Sequence, residues 1–276
     1  MSAPQAPGRT RALLVLGVVA VMLLVLCAGV VVVIRTTMNG DGGTPRASTS
    51  APASTPADSA PPAGESESQA RRDEIAAEPM MQLPESAAQP QPLVADTAGP
   101  PIVVPAPTGA VVPGGPPAAS GFPQTPEGAL GQLAAIDEAA LSTTDMARVR
   151  EVYAWAAMPG AVPEVEWSPA VGVRALIASL GGTEEARTAR ASYAVVQGQI
   201  KGTDGDGPDF AVVCVLGELT VSAATSARAG VADCQRMVWH DGRWRIGPGG
   251  QPAYPPHAWP GSADAVRGGW KELIRA

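Results

Sequence analysis

The chain has 276 residues, a net charge of −7 and only 4% aromatic residues. Its acidity argues against a nucleic-acid-binding domain, which would carry a basic face. Most of its 29 prolines precede residue 124, so the sequence divides into a proline-rich first part and one stretch with the periodicity of a folded domain.

Residues 12–34 contain no charge. A helix of that length reaches across a ~30 Å hydrocarbon core, which predicts a single transmembrane helix after a short tail, residues 1–11. Arg9 and Arg11 before it, against Arg35 and Asp41 after it, place the N-terminus in the cytoplasm and the rest of the chain outside. A cleaved signal is the competing reading, but no small-residue site follows the apolar run. A lipoprotein signal at Cys27 is disfavoured by the Leu26 before it. Residues 35–121 are rich in Pro, Ala, Ser and Thr and read as a disordered linker, too poor in apolar side chains to offset the entropy of folding. Within them QARRDEIAAE has helical composition but is too short to hold alone. The Ser/Thr/Pro cluster leaves O-glycosylation open.

Residues 122–276 carry the folded domain. Three helices come first: one capped by Thr125 with Pro126 at its first position, one opening at Thr143-Thr144-Asp145, and one capped by Ser168. The first has Leu130, Leu133, Ile136, Ala140 and Leu141 on its apolar face. Strands follow at residues 192–201, at 209–224 with a bulge at Gly217, at 231–240, and at 243–246 after an Asp241-Gly242 hairpin turn. Ser262 caps a last helix that carries Val266, Trp270, Leu273 and Ile274. Helices followed by antiparallel strands predict an α+β domain with helices on one face of a curved sheet.

Three short helices and long hairpins ending in Trp239-His240-Asp241-Gly242-Arg243-Trp244-Arg245-Ile246 resemble an NTF2-like domain over residues 125–247. The whole layout of tail, membrane helix, spacer and external domain resembles the VirB8/TcpC-like assembly subunits of Gram-positive conjugation machines, and membrane proteins on mobile elements of actinobacteria. The resemblance implies a non-enzymatic, membrane-anchored subunit that docks to other envelope or transfer-system proteins, with self-association left open. It carries no functional residue over.

The residues name little chemistry. There is no Ser-His-Asp order, phosphate loop or zinc-protease helix. The turn TDGDGPD lacks the closing glutamate of a calcium loop. His240 flanks a hairpin turn and His257 lies in a Pro-rich loop; Glu218 and Asp233 fall at inward-alternating strand positions, although a turn or edge carboxylate is the commoner outcome. No catalytic residue, metal ligand or cofactor is therefore assigned. Trp167 and Trp259, beside prolines in loops, are the candidate partner-binding residues. Cys214 and Cys234 are the only cysteines beyond the apolar stretch, and outside the membrane they are expected to pair, provided their hairpin turns near Ala224. The alternative function is an extracytoplasmic small-ligand-binding or enzymatic domain. A deep apolar cavity with an inward-facing acid would favour it.

Overall fold

The structure, a computed structural model, describes residues 63–109, 115–205, 207–223 and 225–276. The expected membrane segment, residues 12–34, lies outside them. Among the described residues no helix is long and apolar enough to cross a membrane.

A six-stranded sheet organises the fold, in the order β1 (Ile102–Val104), β6 (Lys271–Arg275), β2 (Arg190–Gly202), β3 (Phe210–Ser222), β4 (Ser226–His240), β5 (Arg243–Ile246). The helices are α1 (Ala63–Ala77), α2 (Pro126–Leu141), α3 (Met146–Ala156), α4 (Ser168–Ser179), α5 (Thr183–Ala186) and α6 (Ala263–Arg267). In β3 and β4, side chains alternate between two buried faces. Ala211, Val213, Val215, Leu219, Val221 and Met237 meet α2, α3 and α4, with Leu130, Leu133, Ile136 and Trp167 in the same core. Val212, Cys214, Leu216, Ala232 and Cys234 face the other way, against the N-terminal segment and the C-terminal loop.

The α2 and α3 caps form as the sequence indicates. Thr125 accepts from the Gly128 N–H, and Asp145 from the Ala147 N–H. The Asp241-Gly242 turn takes positive φ at both residues, 49° and 74°, the backbone that closes a two-residue hairpin.

Four features of the expected fold are corrected. The sheet is mixed, because β1 runs parallel to β6. The C-terminal helix stops at Arg267, and Gly269, at φ 81°, turns the chain into β6 between β1 and β2. The bulge expected at Gly217 sits opposite it, in β2 between Val195 and Gln197; a Cβ on Gly217 would run into the Ala194 carbonyl oxygen. Finally, residues 63–109 are not a structureless spacer. Arg72 pairs with Asp204 at 2.7 Å, Asp73 pairs with the buried Arg236 at 2.6 Å, and Lys201 donates to the Ala76 and Glu78 carbonyls at the end of α1. Ala76 is buried with Phe210 and Val212. Tertiary contacts thus hold a helix that its own sequence would not.

Candidate functional site

The site originates in a mismatch of strand lengths. β5 has four residues and covers only Met237–His240 of the fifteen-residue β4. The rest of that β4 edge would present bare N–H and C=O groups. The loop after β5 covers it instead. Gly247 N–H donates to the Arg236 carbonyl, Gln251 Nε2 donates to the Cys234 carbonyl at 2.9 Å, and the Ala232 N–H donates to His257 Nδ1 at 3.0 Å. The loop approaches so closely that a Cβ on Gly230 would overlap the Ala258 carbonyl oxygen.

Between this loop, α4 and the helix-facing side of β4 lies a cavity of about 120 Å³. Its walls are mostly apolar, from Leu141, Val173, Leu176, Leu219 and Val231, and the exposed Glu166 stands at its rim. Cavities of this order hold one benzene-sized molecule.

The polar wall is a connected network. Ser168 Oγ donates to Asp233 Oδ1, and Gln235 Nε2 donates to Asp233 Oδ2 at 2.8 Å. Gln235 and Gln251 amides both reach Ser168 Oγ, at 3.3 and 3.2 Å. Because its hydroxyl serves Asp233, Ser168 does not cap α4 as the sequence suggested; Trp167 holds the cap position without a side-chain bond. Behind Asp233 lies Asp137, fully buried in α2, with no donor to either carboxylate oxygen. Burial, and then the charges of Asp233 and Glu138, push the Asp137 carboxyl well above the usual range. Asp233 is itself raised to about 6 by burial, against its hydrogen bonds from Ser168, Gln235 and the Cys234 N–H. Burial, then the neighbouring carboxylates, also raise the Tyr193 phenol, which donates to the Val231 carbonyl at 2.8 Å.

Two cavity-lining residues keep a buried polar atom that no protein group pairs: Gln251 Oε1 and His257 Nε2. Since His257 Nδ1 accepts from Ala232, the proton of the neutral ring sits on Nε2. Burial depresses the ring to about 4, so it stays neutral. Both atoms are sealed inside the protein, with almost no surface open to the cavity. Among the described residues no group of three or more His, Cys, Asp or Glu gathers to hold a metal.

Of the residues singled out in the sequence, Asp233 is in this site and Glu218 is not. Glu218 forms a two-pronged pair with Arg228, at 2.5 Å to both Nε and Nη2, which lowers its pKa. His240 is exposed beside Asp241, whereas His257 is in the cavity wall. Trp167 and Trp259 do not present an exposed surface. Trp167 is 0% exposed in the core beside Tyr153, and Trp259 is 6% exposed beneath the Arg228 guanidinium. Cys214 and Cys234 are direct partners across β3 and β4, their Cα atoms 4.0 Å apart and bridged, because the hairpin turns between Ser222 and Ser226. The disulfide lies on the face opposite the cavity, with Met80 Sδ 3.7 Å from Cys234 Sγ.

Sequence reasoning missed Asp137, Ser168 and Gln251. A signal existed for Asp137: Leu133, Asp137 and Leu141 lie at i, i+4 and i+8, which puts a carboxylate in the middle of an apolar stripe. Nothing in the local sequence marks Gln251, whose role depends on the uncovered edge of β4. No protein-family model matches the chain, and no curated protein or solved structure matches it significantly.

Proposed function

We propose that this chain presents a small-ligand-binding domain outside the membrane, tethered by the apolar segment at residues 12–34. The observation that carries the reading is the apolar cavity whose lining includes the buried acid Asp233. A pocket with a mainly apolar lining and a few converging polar groups is the usual form of a small-molecule site. The bland alternative is a polar plug that merely seals the β4 edge. Such a plug accounts for the bonds to Cys234 and Ala232, and leaves the apolar space beside them without a role.

Equilibrium dialysis of the full chain in detergent micelles with radiolabelled toluene tests the reading. The expected result is saturable binding of one molecule per chain, abolished when Gly172→Phe or Val231→Phe fills the cavity. Binding that is unsaturable, or unchanged in both variants, counts against it.

A second reading, docking within a conjugative-transfer or secretion assembly, loses the support of Trp167 and Trp259. It rests instead on Val103 and Ile274, paired in register between β1 and β6 and 52% and 48% exposed. Cross-linking in cells that is unchanged in a Val103→Glu, Ile274→Glu double variant would remove that surface.

A further inference from the structure

The placing of polar and apolar groups around the cavity also specifies how an occupant sits in it. We propose that the cavity takes one short hydrocarbon group, a ring or alkyl end of about six carbons, and that any polar group on the same molecule stays in water at the Glu166 rim. The inference rests on the reading of the cavity as a ligand site and adds the chemistry of its occupant.

The cavity has an apolar floor and a side that meets solvent. Leu141, Val173, Leu176 and Leu219 are at most 5% exposed, whereas in the same lining Glu166 is exposed and Gly172 and Tyr254 are half-buried. The polar side chains of the wall are turned on one another. Ser168 Oγ directs its hydrogen to Asp233 and accepts from the Gln235 and Gln251 amides, which uses both of its lone pairs. Asp233, 3% exposed, accepts from Ser168 on one oxygen and from Gln235 on the other. Both amide hydrogens of Gln251 are engaged, by the Cys234 carbonyl and by Ser168 Oγ. Gln251 Oε1 and His257 Nε2 are closed off from the space. A hydroxyl or a charge carried to the floor would therefore lose its water and meet side chains already occupied with each other, which is costly.

Size limits the occupant as firmly as polarity does. An apolar cavity of about 150 Å³ holds benzene, and this one measures about 120 Å³. One ring or one short alkyl end fills it. The long chains of a membrane lipid do not fit, so the occupant is a small free molecule even for a domain held near a bilayer. Its affinity comes from removing hydrocarbon and the leucine and valine surfaces from water. Each methylene that reaches the floor adds about four-fold to the affinity, and the gain stops once the floor is filled.

The test compares 4-methylphenol, hydroquinone and 4-butylphenol with toluene on the full chain in detergent micelles at pH 7.5, by equilibrium dialysis with uptake by empty micelles subtracted. 4-Methylphenol carries a hydroxyl for the rim and a methyl for the floor, and should bind saturably. Hydroquinone has a hydroxyl at both ends and should bind at least ten-fold more weakly than 4-methylphenol. 4-Butylphenol should bind no more tightly than 4-methylphenol, because the cavity is already full. Leu219→Ala deepens the floor and should raise the affinity for 4-butylphenol at least ten-fold relative to 4-methylphenol. Should that variant fail to fold, the wild-type series decides by itself. Hydroquinone within ten-fold of 4-methylphenol would overturn the exclusion of polar groups from the floor. 4-Butylphenol binding more tightly than 4-methylphenol to wild type would overturn the size limit. Binding of toluene alone would overturn the placing of the polar group at the rim. Each of these results leaves the ligand site standing. If neither toluene nor any of the phenols binds, the ligand-site reading itself fails, and the inference with it.

Discussion

The three buried titratable groups of the site make the stability of the domain depend on pH in a way that can be taken apart. Asp137 and Asp233 have raised pKa values in the folded state, Asp233 from 3.8 to about 6. Their stabilising contribution is complete below pH 3.8 and is lost as pH rises through the folded values. His257 is depressed from 6.5 to about 4. Its contribution is present above pH 6.5 and is lost as pH falls through the folded value. Between about pH 4 and pH 6, the folded chain thus holds a proton on Asp233 that the unfolded chain has released, and lacks one that the unfolded His257 holds; the raised Asp137 acts in the same direction as Asp233. Each such proton is worth roughly 1.4 kcal/mol per pH unit. Asp233→Asn removes one folded-state proton, so from pH 4 to pH 6 the variant should gain roughly 3 kcal/mol relative to wild type. His257→Gln should change the slope the other way by a similar or smaller amount, since its ring borders the cavity rather than solid protein. The assay is urea unfolding of the full chain in detergent, followed by tryptophan fluorescence at half-unit pH steps. Differences between variant and wild type cancel the surface carboxylates common to both. Stability curves for Asp233→Asn and wild type that run parallel from pH 4 to pH 6 would refute the reasoning.

Other expected outcomes are simpler to measure. Replacing both Cys214 and Cys234 by Ala opens a disulfide spanning 20 residues and should cost roughly 3 kcal/mol in urea unfolding, on the chain-entropy account. Gly230→Ala would drive its Cβ into the Ala258 carbonyl; a loss of about 2 kcal/mol or more is expected, with the loop bearing His257 displaced and probe binding lost. A chain that begins at residue 122 leaves the buried Arg236 without Asp73 and uncovers the cluster around Cys214 and Cys234. It should be more protease-sensitive and less soluble than one that begins at residue 63. Equal resistance of the two would show that residues 63–109 are dispensable.

Local signals in the sequence found the local structure. Thr125 and Asp145 cap their helices, and Asp241-Gly242 closes its hairpin, because these preferences act within a few residues. What depends on distant partners was not legible. The weakly helical QARRDEIAAE becomes part of α1 only through Asp204, Arg236 and Lys201, more than a hundred residues away. Ile102–Val104 is a strand because β6 offers an edge, and β6 is a strand because Gly268-Gly269 ends a helical pattern that Trp270, Leu273 and Ile274 would otherwise extend. The tryptophans were misjudged for a related reason. A loop beside prolines is exposed by default, but Trp167 packs against Tyr153 and Trp259 is covered by Arg228. Asp233 was legible as an inward carboxylate, whereas Ser168, which bonds it, comes from α4, and Gln251, which bonds Ser168, from the C-terminal loop. Only tertiary folding assembles the site, and one member alone is visible in its own strand.

The decisive question is whether the cavity beside β4 accepts a small molecule. Crystals of the protein soaked with 4-bromophenol, with diffraction recorded at the bromine absorption edge, locate the probe without reference to a binding curve. The predicted result is one bromine peak among Leu176, Leu219 and Val231. Fully ordered protein with no bromine in the cavity, or bromine only at surface positions, would contradict the account.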